Sequence, residues 1–345
     1  MTDIQIIDPT KHDGWDELLL TNPDTSFFHT RGWCQVLTES YGYKPLYFTR
    51  IEDGKLTGLI AVMEINSWLT GKRGVSLPFS DQVEPIAENQ ENFDSLLKKI
   101  ISYGQKFGWK SIEIRGGSQF LGNQIPADTF KTHVLNIGDS HRSILKSFRD
   151  STRRNIKKAE KKGLVAKTSR KREDLTSFYH LNCLTRKEHG LPPQPSFFFM
   201  QLFQHVIAKD NGQVVLVNND SGNCIASSVF ASFNKKSIFK YGASDKRFHH
   251  LRPNNLVLWE SIKLYTQNGS RSYDFGRTDL DHKGLLQFKR GWGTEEGVIH
   301  YYNFDLKSQE FVTKYPKIKS SYAIFKKMPI PLLKLIGRVL YRHIG

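Results

Sequence analysis

Apolar positions recur at helical period in two separated stretches, "FDSLLKKIISYGQKFG" from Phe93 and "NNLVLWESIKLYTQNG" from Asn254. Each run closes on a glycine, so each predicts an amphipathic helix with a defined end. A different rhythm fills "VVLVNNDSGNCIASSVFASFNKKSIFKYGASD" from Val214. There apolar and polar residues alternate, and turn-forming residues punctuate the run at Asn219 to Asn223 and at Asn234 to Lys236. That pattern predicts an antiparallel meander.

The two helical stretches belong to a longer internal correspondence. "SYGQKFGWKSIEIRGG" (Ser102 to Gly117) reads against "LYTQNGSRSYDFGRT" (Leu264 to Thr278), each a helix ending at glycine and entering a short strand. The strand carries an acid, Glu113 in one copy and Asp274 in the other, followed by glycine and arginine. Upstream, "GLIAVMEI" from Gly58 pairs with "CIASSVFASF" from Cys224, and "SLPFSD" (Ser76 to Asp81) with "KYGASD" (Lys240 to Asp245). The unit reads strand, strand, loop, helix, strand, and it occurs twice. Two such α/β units suit the GNAT acyltransferase architecture: tandem domains of mixed, largely antiparallel sheet. We place the first domain at residues 1–138, the second at 139–325 and a basic amphipathic tail at 326–345.

A chain of 345 residues is long for one core, which agrees with two domains. The 38% hydrophobic and 12% aromatic content describes an ordinary folded protein. No apolar run reaches the length of a membrane-spanning helix, and the N-terminal stretch lacks the pattern of a signal peptide. The three scattered cysteines predict a reducing, cytoplasmic compartment and neither a disulfide framework nor a zinc site. Fifty basic residues against thirty-four acidic ones give +16, an excess that draws polyanions: nucleic acid, anionic lipid or a phosphate-bearing substrate. The plainer reading of that excess is a solvated basic surface.

"DFG" at Asp274 to Gly276 raises a kinase reading, which fails. The chain lacks the glycine-rich loop, the following strand lysine and the H-R-D-L loop that phosphoryl transfer needs beside it. No G-x-x-x-x-G-K-[ST] loop or G-x-S-x-G elbow is present either, so neither an NTP cradle nor a serine acyl-enzyme is favoured. An acyl-CoA enzyme of GNAT type cradles pyrophosphate on a glycine-containing turn before a helix. Here the segment is "DKRFHHLRPNNLVLW", with no glycine between Gly242 and Gly269. Arg247, His249, His250 and Arg252 supply charge instead, Pro253 fixes the helix entry, and Asn254 or Asn255 is expected to cap it.

The motifs "STRRNIKKAEKKGL" (Ser151 to Leu164), "TRKEHGLPPQPSFFFMQL" (Thr185 to Leu202), "FKYGASD", "RPNNLVLWE", "DFGRT" and "GLLQFKRGWG" carry a family resemblance. The chain resembles the Fem-type aminoacyltransferases, tandem GNAT-like enzymes that extend peptidoglycan side chains from aminoacyl-tRNA. It is more similar still to their relatives encoded with exopolysaccharide systems. The resemblance covers residues 25 to 305 and implies N-acyl transfer to an amine on a cell-envelope precursor. It implies no tightly bound cofactor or metal; aminoacyl-tRNA or acyl-CoA would serve as co-substrate. The chain departs from the larger Fem enzymes in having no clear coiled-coil arm, which weakens the tRNA donor in particular.

Lys289 in "QFKRGWG" resembles the lysine of the family's F-K-x-x-[FW]-G pattern, which implies a role at the developing oxyanion. Amide formation from an ester or thioester passes through a tetrahedral oxyanion that a fixed cation stabilises. Phe288 and Trp292 would desolvate it, and a surface lysine beside a buried aromatic pair is the competing reading. Tyr241 on its strand and Asp81 in "LPFSD" are candidates to manage the proton, against the alternatives of a core tyrosine and a turn-starting aspartate. Asp274 is expected mid-sheet near the ligand cleft, with Arg277 after it as a substrate or structural carboxylate partner. Arg153, Arg154 and Lys157 head a basic helical stripe that continues through Lys158, Lys161 and Lys162, a surface for polyanions or simply a solvated face. Arg186 and His189 precede a rigid proline loop whose family counterpart contacts the acceptor. Arg252 and Asn254 complete the expected substrate-binding set.

In the tail, Leu332, Leu335, Ile336, Val339 and Leu340 share one helical face, with Lys334, Arg338 and Arg342 on the other. Such a helix either rests on an anionic membrane at the inner face of the cell or packs on its own domain.

Overall fold

Both helix-period stretches fold as helices in the computed structural model, which describes residues 3–138, 140–313 and 322–344. The chain divides into two units, residues 1–130 with 298–318 and 339–345, and residues 131–297 with 319–338. Asp139, the expected start of the second domain, and Gly345, the end of the expected tail, lie outside the described residues.

The first unit opens with β1 (Gln5–Ile7), α1 (Trp15–Leu20) and α2 (Arg31–Tyr41). A meander of β2 (Lys44–Glu52), β3 (Lys55–Ser67) and β4 (Gly71–Val75) follows, then β5 (Ile86–Ala87), α3 (Gln90–Lys106), β6 (Ser111–Arg115) and α4 (Ser118–Leu121). The meander pairs antiparallel, and β6 joins β4 in parallel with Val75 opposite Glu113. The Asn89 side chain caps α3 by accepting the Asn92 N–H at 2.9 Å. Phe93, Leu96 and Ile100 of α3 are buried against Phe48, Ile60, Val62 and Ile112 of the sheet. Trp109, between α3 and β6, fixes the closest approach: its Nε1 donates to Glu64 Oε2 at 2.7 Å, and its ring lies flat where Gly74 of β4 and Gly104 of α3 have no side chain.

From residue 128 onward the chain forms β7 (Asp128–Asn136), α5 (His141–Ser147), α6 (Asp150–Lys161), β8 (Val165–Ser169), α7 (Arg172–Glu188) and α8 (Ser196–His205). Next come β9 (Gly212–Asn218), β10 (Cys224–Phe233), β11 (Lys236–Ser244), α9 (Pro253–Gln267), β12 (Ser272–Asp274), β13 (Thr278–Asp279) and α10 (Lys283–Arg290). The chain closes with β14 (Glu295–Asp305), β15 (Glu310–Phe311), α11 (Tyr322–Lys327) and α12 (Ile330–Leu340). In the second unit β9, β10 and β11 pair antiparallel as the alternation predicts, and Asn234 and Lys235 make the tight turn with φ 49° and 60°. β12 then joins β11 in parallel, with β7 antiparallel on its other side. Buried Leu256, Trp259, Ile262 and Tyr265 of α9 close this core over Val215, Phe230 and Tyr273.

Each unit therefore repeats one plan: an antiparallel meander, a helix, and a strand parallel to the last of the meander. The mixed, largely antiparallel α/β class expected for a GNAT fold is the observed one. In the first unit, Tyr301–Asp305 of β14 adds antiparallel to β6.

The tail corrects one expectation. α12 buries Leu333 and Gly337, whereas Leu332, Leu335 and Val339 of the expected apolar face are exposed, against the reading in which that face packs on its own domain. Gly337 decides this, because its bare Cα lets the Pro193 carbonyl approach to where a Cβ would sit at 2.1 Å. Among the described residues no helix is long and apolar enough to cross a membrane.

The Trp109 contact gives a direct test. A Cβ on Gly74 would lie 2.2 Å from Cζ3 of the Trp109 ring. Gly74→Ala is therefore expected to lower the unfolding free energy by about 1–3 kcal/mol, read from urea denaturation. A variant as stable as its parent would show that the ring does not rest there.

Candidate active site

The "QFKRGWG" segment places Lys289 in the last turn of α10, where only 3% of it is exposed. Its Nζ donates to the Gly276 carbonyl at 2.6 Å and to the Arg277 carbonyl at 3.3 Å. The competing surface-lysine reading therefore fails. The turn that supplies those carbonyls is the DFGR segment. Asp274 ends β12, and its Oδ1 accepts the Gly276 N–H at 2.8 Å, with Thr132 Oγ1 at 3.4 Å. Gly276 has φ 71°, a conformation that favours glycine. The three letters shared with kinases thus build a turn whose carbonyls seat an ammonium.

Trp292 is fully buried, edge-on to Phe148 at 5.0 Å and Phe288 at 6.0 Å. The glycines on either side of it are both needed. A Cβ on Gly291 would meet Thr152 Oγ1 at 2.6 Å, and Gly293 has φ 67°.

Gly284, Gln287, Phe288 and Gly291 follow helical spacing, so they share the face of α10 that Lys289 does not occupy. They line a cavity of about 350 Å³ together with the first turns of α6 and α9. Arg149 and Arg252 stand at the N-cap positions of those two helices, and neither helix has a side-chain cap. Arg252 holds φ 67°, which costs a non-glycine residue about 1–2 kcal/mol. The expected capping by Asn254 or Asn255 does not occur: Pro253 is the first helical residue, and Asn254 Nδ2 turns to Ser244 Oγ at 3.2 Å. Two helix N-termini, two guanidinium groups and the polar side chains of Thr152, Asn155, Asn255 and Gln287 make this cavity suited to an anion.

Residues 146–284 match the acetyltransferase (GNAT) domain family. A lipid II:glycine glycyltransferase of Staphylococcus haemolyticus is 33% identical over 92 residues, which is 25% of this chain and 22% of that protein. The match therefore spans under a quarter of the relative's length. Among solved structures, FemX superposes with TM-score 0.71 at 17% identity, covering 89% of this chain and 98% of that one. A tandem GNAT protein from the clavulanic acid pathway superposes with TM-score 0.55 at 9% identity, covering 88% and 99%. The chain has the GNAT fold, and a short stretch of its sequence is similar to the lipid II:glycine glycyltransferases.

Of the residues singled out from the sequence, Arg252 and Phe288 line the cavity, while Lys289, Asp274 and Arg277 meet at the DFGR turn. Arg277 itself is exposed. Tyr241 lies half-buried on β11, its ring 5.5 Å from Phe199 and 6.1 Å from Phe198, with Lys240 Nζ 4.9 Å above it. On α6, Thr152, Ile156 and Ala159 face inward, and Arg154 and Lys157 are exposed as the stripe predicts. Arg153 instead turns back to the Lys146 carbonyl at 2.9 Å and to Asp150. Arg186 reaches the Pro192 carbonyl at 3.5 Å. Partial desolvation and the nearby Arg186 guanidinium hold the His189 imidazole below its ordinary pKa.

Asp81 belongs to the first unit, where Tyr301 Oη donates to its main-chain carbonyl at 2.6 Å. Its loop is strained, since Leu77 and Phe79 have φ 45° and 62°. Buried Arg115 fastens the loop by donating to the Leu77 and Ser80 carbonyls at 3.4 and 3.2 Å.

The sequence reading missed Thr152, Asn155, Asn255 and Gln287 as cavity residues. No spacing rule joins residues so far apart in the chain. It also missed Glu296, which receives Arg290 Nε at 2.6 Å and Lys131 Nζ at 3.0 Å and lies 3.2 Å from His133 Nε2. Burial first, and the Lys289 ammonium second, hold His133 below its ordinary pKa.

Hydrogen bonds from Arg290 and Lys131 depress the Glu296 carboxyl from 4.5 to about 2. Because the folded value is lowered, the stabilisation is complete above the ordinary value of 4.5 and is lost as pH falls through about 2. Glu296→Gln is therefore expected to destabilise the protein at neutral pH, modestly for a part-exposed pair. The gap to the parent should close between those two pH values, measured by urea midpoints. A gap independent of pH would show that the carboxylate charge contributes nothing.

Proposed function

We propose that this chain is an N-acyltransferase that joins an aminoacyl or acyl group to an amine on a cell-envelope precursor, a peptidoglycan peptide or a polysaccharide sugar. The observation that carries the reading is the buried Lys289, seated by two main-chain carbonyls, in an F-K-R-G-W-G segment that resembles the Fem-type F-K-x-x-[FW]-G pattern. In the proposed reaction the acceptor nitrogen attacks the donor's ester or thioester carbonyl. The C–N bond forms, the C–O or C–S bond breaks, and Lys289 stabilises the oxyanion between the two steps. Tyr241 takes the assignment of moving the proton from nitrogen toward the leaving atom. Asp81 is the other candidate, and Asp81→Asn beside Tyr241→Phe separates them.

The cavity between the α6 and α9 N-termini is the proposed seat of the donor's phosphates. It supports a polyanionic donor, and the exposed cations of α6 from Arg154 to Lys162 extend that attraction. The acceptor is proposed to be a phosphate-bearing precursor, in keeping with the lipid II named for the staphylococcal relatives.

Purified protein titrated at about 150 mM salt with charged tRNA, uncharged tRNA and acetyl-CoA decides the donor, because diffuse phosphate attraction is damped there. Preference for charged over uncharged tRNA is the expected result. Saturable acetyl-CoA binding with indifference to tRNA would move the protein to acyl-CoA chemistry. Arg252→Ala should weaken donor binding and reduce the salt slope by about 0.7–0.9.

Lys289→Met should lower kcat by about 10²–10³ while donor binding persists, with retained folding checked by circular dichroism. Cellular function left intact by Lys289→Ala, Tyr241→Phe and Asp81→Asn alike would instead leave a non-catalytic binding module on an acyltransferase fold.

A further inference from the structure

The turn between β3 and β4 carries Trp68, 82% exposed, followed by Leu69, 42% exposed. Isolated exposed apolar residues are ordinary, but a tryptophan this exposed at the tip of a hairpin is not. The turn is also rigidly built. Ser67 Oγ accepts the N–H groups of Leu69 at 3.1 Å and Thr70 at 3.0 Å, which directs both apolar side chains outward.

The C-terminal segment is fastened to the same turn. His343 Nδ1 lies 3.0 Å from Ser67 Oγ, and the His343 carbonyl accepts from Thr70 Oγ1 at 3.1 Å and Arg73 Nη2 at 3.0 Å. The Trp68 ring stands edge-on to the His343 ring at 5.3 Å. One residue beyond, Ile344 is 51% exposed, and Val339 upstream is 49% exposed. The first unit thus holds a preorganised apolar tip made from two chain segments distant in sequence.

Its surroundings are cationic. Arg342 is exposed beside His343, and the Lys110 side chain runs past Gly71 at the base of the turn.

We propose that this tip, Trp68, Leu69 and Ile344 flanked by Lys110 and Arg342, is a docking surface for a bilayer of anionic phospholipid. Tryptophan favours the level of the headgroups, leucine and isoleucine enter the acyl boundary, and the flanking cations meet the lipid phosphates. A second copy of the chain is the poorer occupant, since two surfaces of like charge on proteins of +16 repel. The fixed turn spares the surface the ordering cost that a mobile loop would meet on binding. The inference goes beyond the transferase reading and does not depend on it, because docking is measured without turnover.

The test is vesicle flotation of the full chain at about 150 mM salt, with vesicles of phosphatidylglycerol and phosphatidylcholine in equal parts against phosphatidylcholine alone. The expected result is partition to the anionic vesicles that falls at least about tenfold in the Trp68→Ser, Leu69→Ser double variant. Leu20→Ser, at another exposed apolar position in the same unit, should leave partition unchanged. Trp68→Phe, which keeps an apolar ring, should retain most of it and guards against loss through misfolding. Equal partition of the double variant and the parent would overturn the proposal and leave only diffuse charge attraction. No flotation of the parent would overturn it as well. So would a parent that is dimeric in solution, becomes monomeric in the double variant and ignores vesicles.

Discussion

A lysine ammonium removed from water costs several kcal/mol after the protein relaxes around it, unless donors find acceptors. The second unit is organised around meeting that demand for Lys289. The Gly276 and Arg277 carbonyls supply the acceptors, and they point correctly because Asp274 Oδ1 holds the Gly276 N–H and closes the turn. The lysine's place in the last turn of α10 helps, since the partial negative charge at a helix C-terminus favours a cation. Fully buried Trp292 keeps water from that helix end, and the glycines beside it let the chain pass Thr152 and Ser147. Arg290, between Lys289 and Gly291, is held by Glu296.

Helical geometry separates two chemistries on α10. Residues at positions 284, 287, 288 and 291 look into the cavity, while Lys289 looks toward the DFGR turn. A donor whose phosphates occupy the cavity must therefore extend around the helix to bring an acyl carbonyl to the lysine. Phe288 stands at that boundary, on the cavity side and against Trp292.

Much of the fold was legible from local patterning. The periods of α3 and α9, the alternation through β9 to β11 and the turn at Asn234 and Lys235 are decided by residues next to one another in the chain. The repeated plan followed from placing those elements in order. The site was legible only where a motif was contiguous, as at "DFGR" and "QFKRGWG". The cavity was not, since it assembles Arg149, Thr152, Asn255 and Gln287 from three helices brought together by packing. The cap of α9 was misread for a related reason. Asparagine is the local favourite for an N-cap, but Pro253 already satisfies the first helical position and the chain enters through Arg252 in the left-handed region. In the tail, the face with the most apolar side chains lost to the face carrying Gly337. A backbone-to-backbone approach at Pro193 needs a missing side chain more than it needs a large one.

The basic helix α6 shows how the charge excess and the cavity belong to one argument. Like charges one turn apart destabilise an isolated helix by a few tenths of a kcal/mol per pair, and this helix carries several between Arg154 and Lys162. Within it, only Asp150 in the first turn and Glu160 oppose them, and Asp150 is already engaged with Arg153. Tertiary packing of Thr152, Ile156 and Ala159 must therefore hold the helix against its own repulsion. An anion in the cavity at its N-terminus, or along its exposed face, would relieve that repulsion on binding. Part of the binding free energy would then come from charge the folded protein already carries at a cost. By the same reasoning Arg153, turned back to Lys146 and Asp150, contributes to the helix start more than to a ligand, whereas Arg149 and Arg252 stand at the cavity itself.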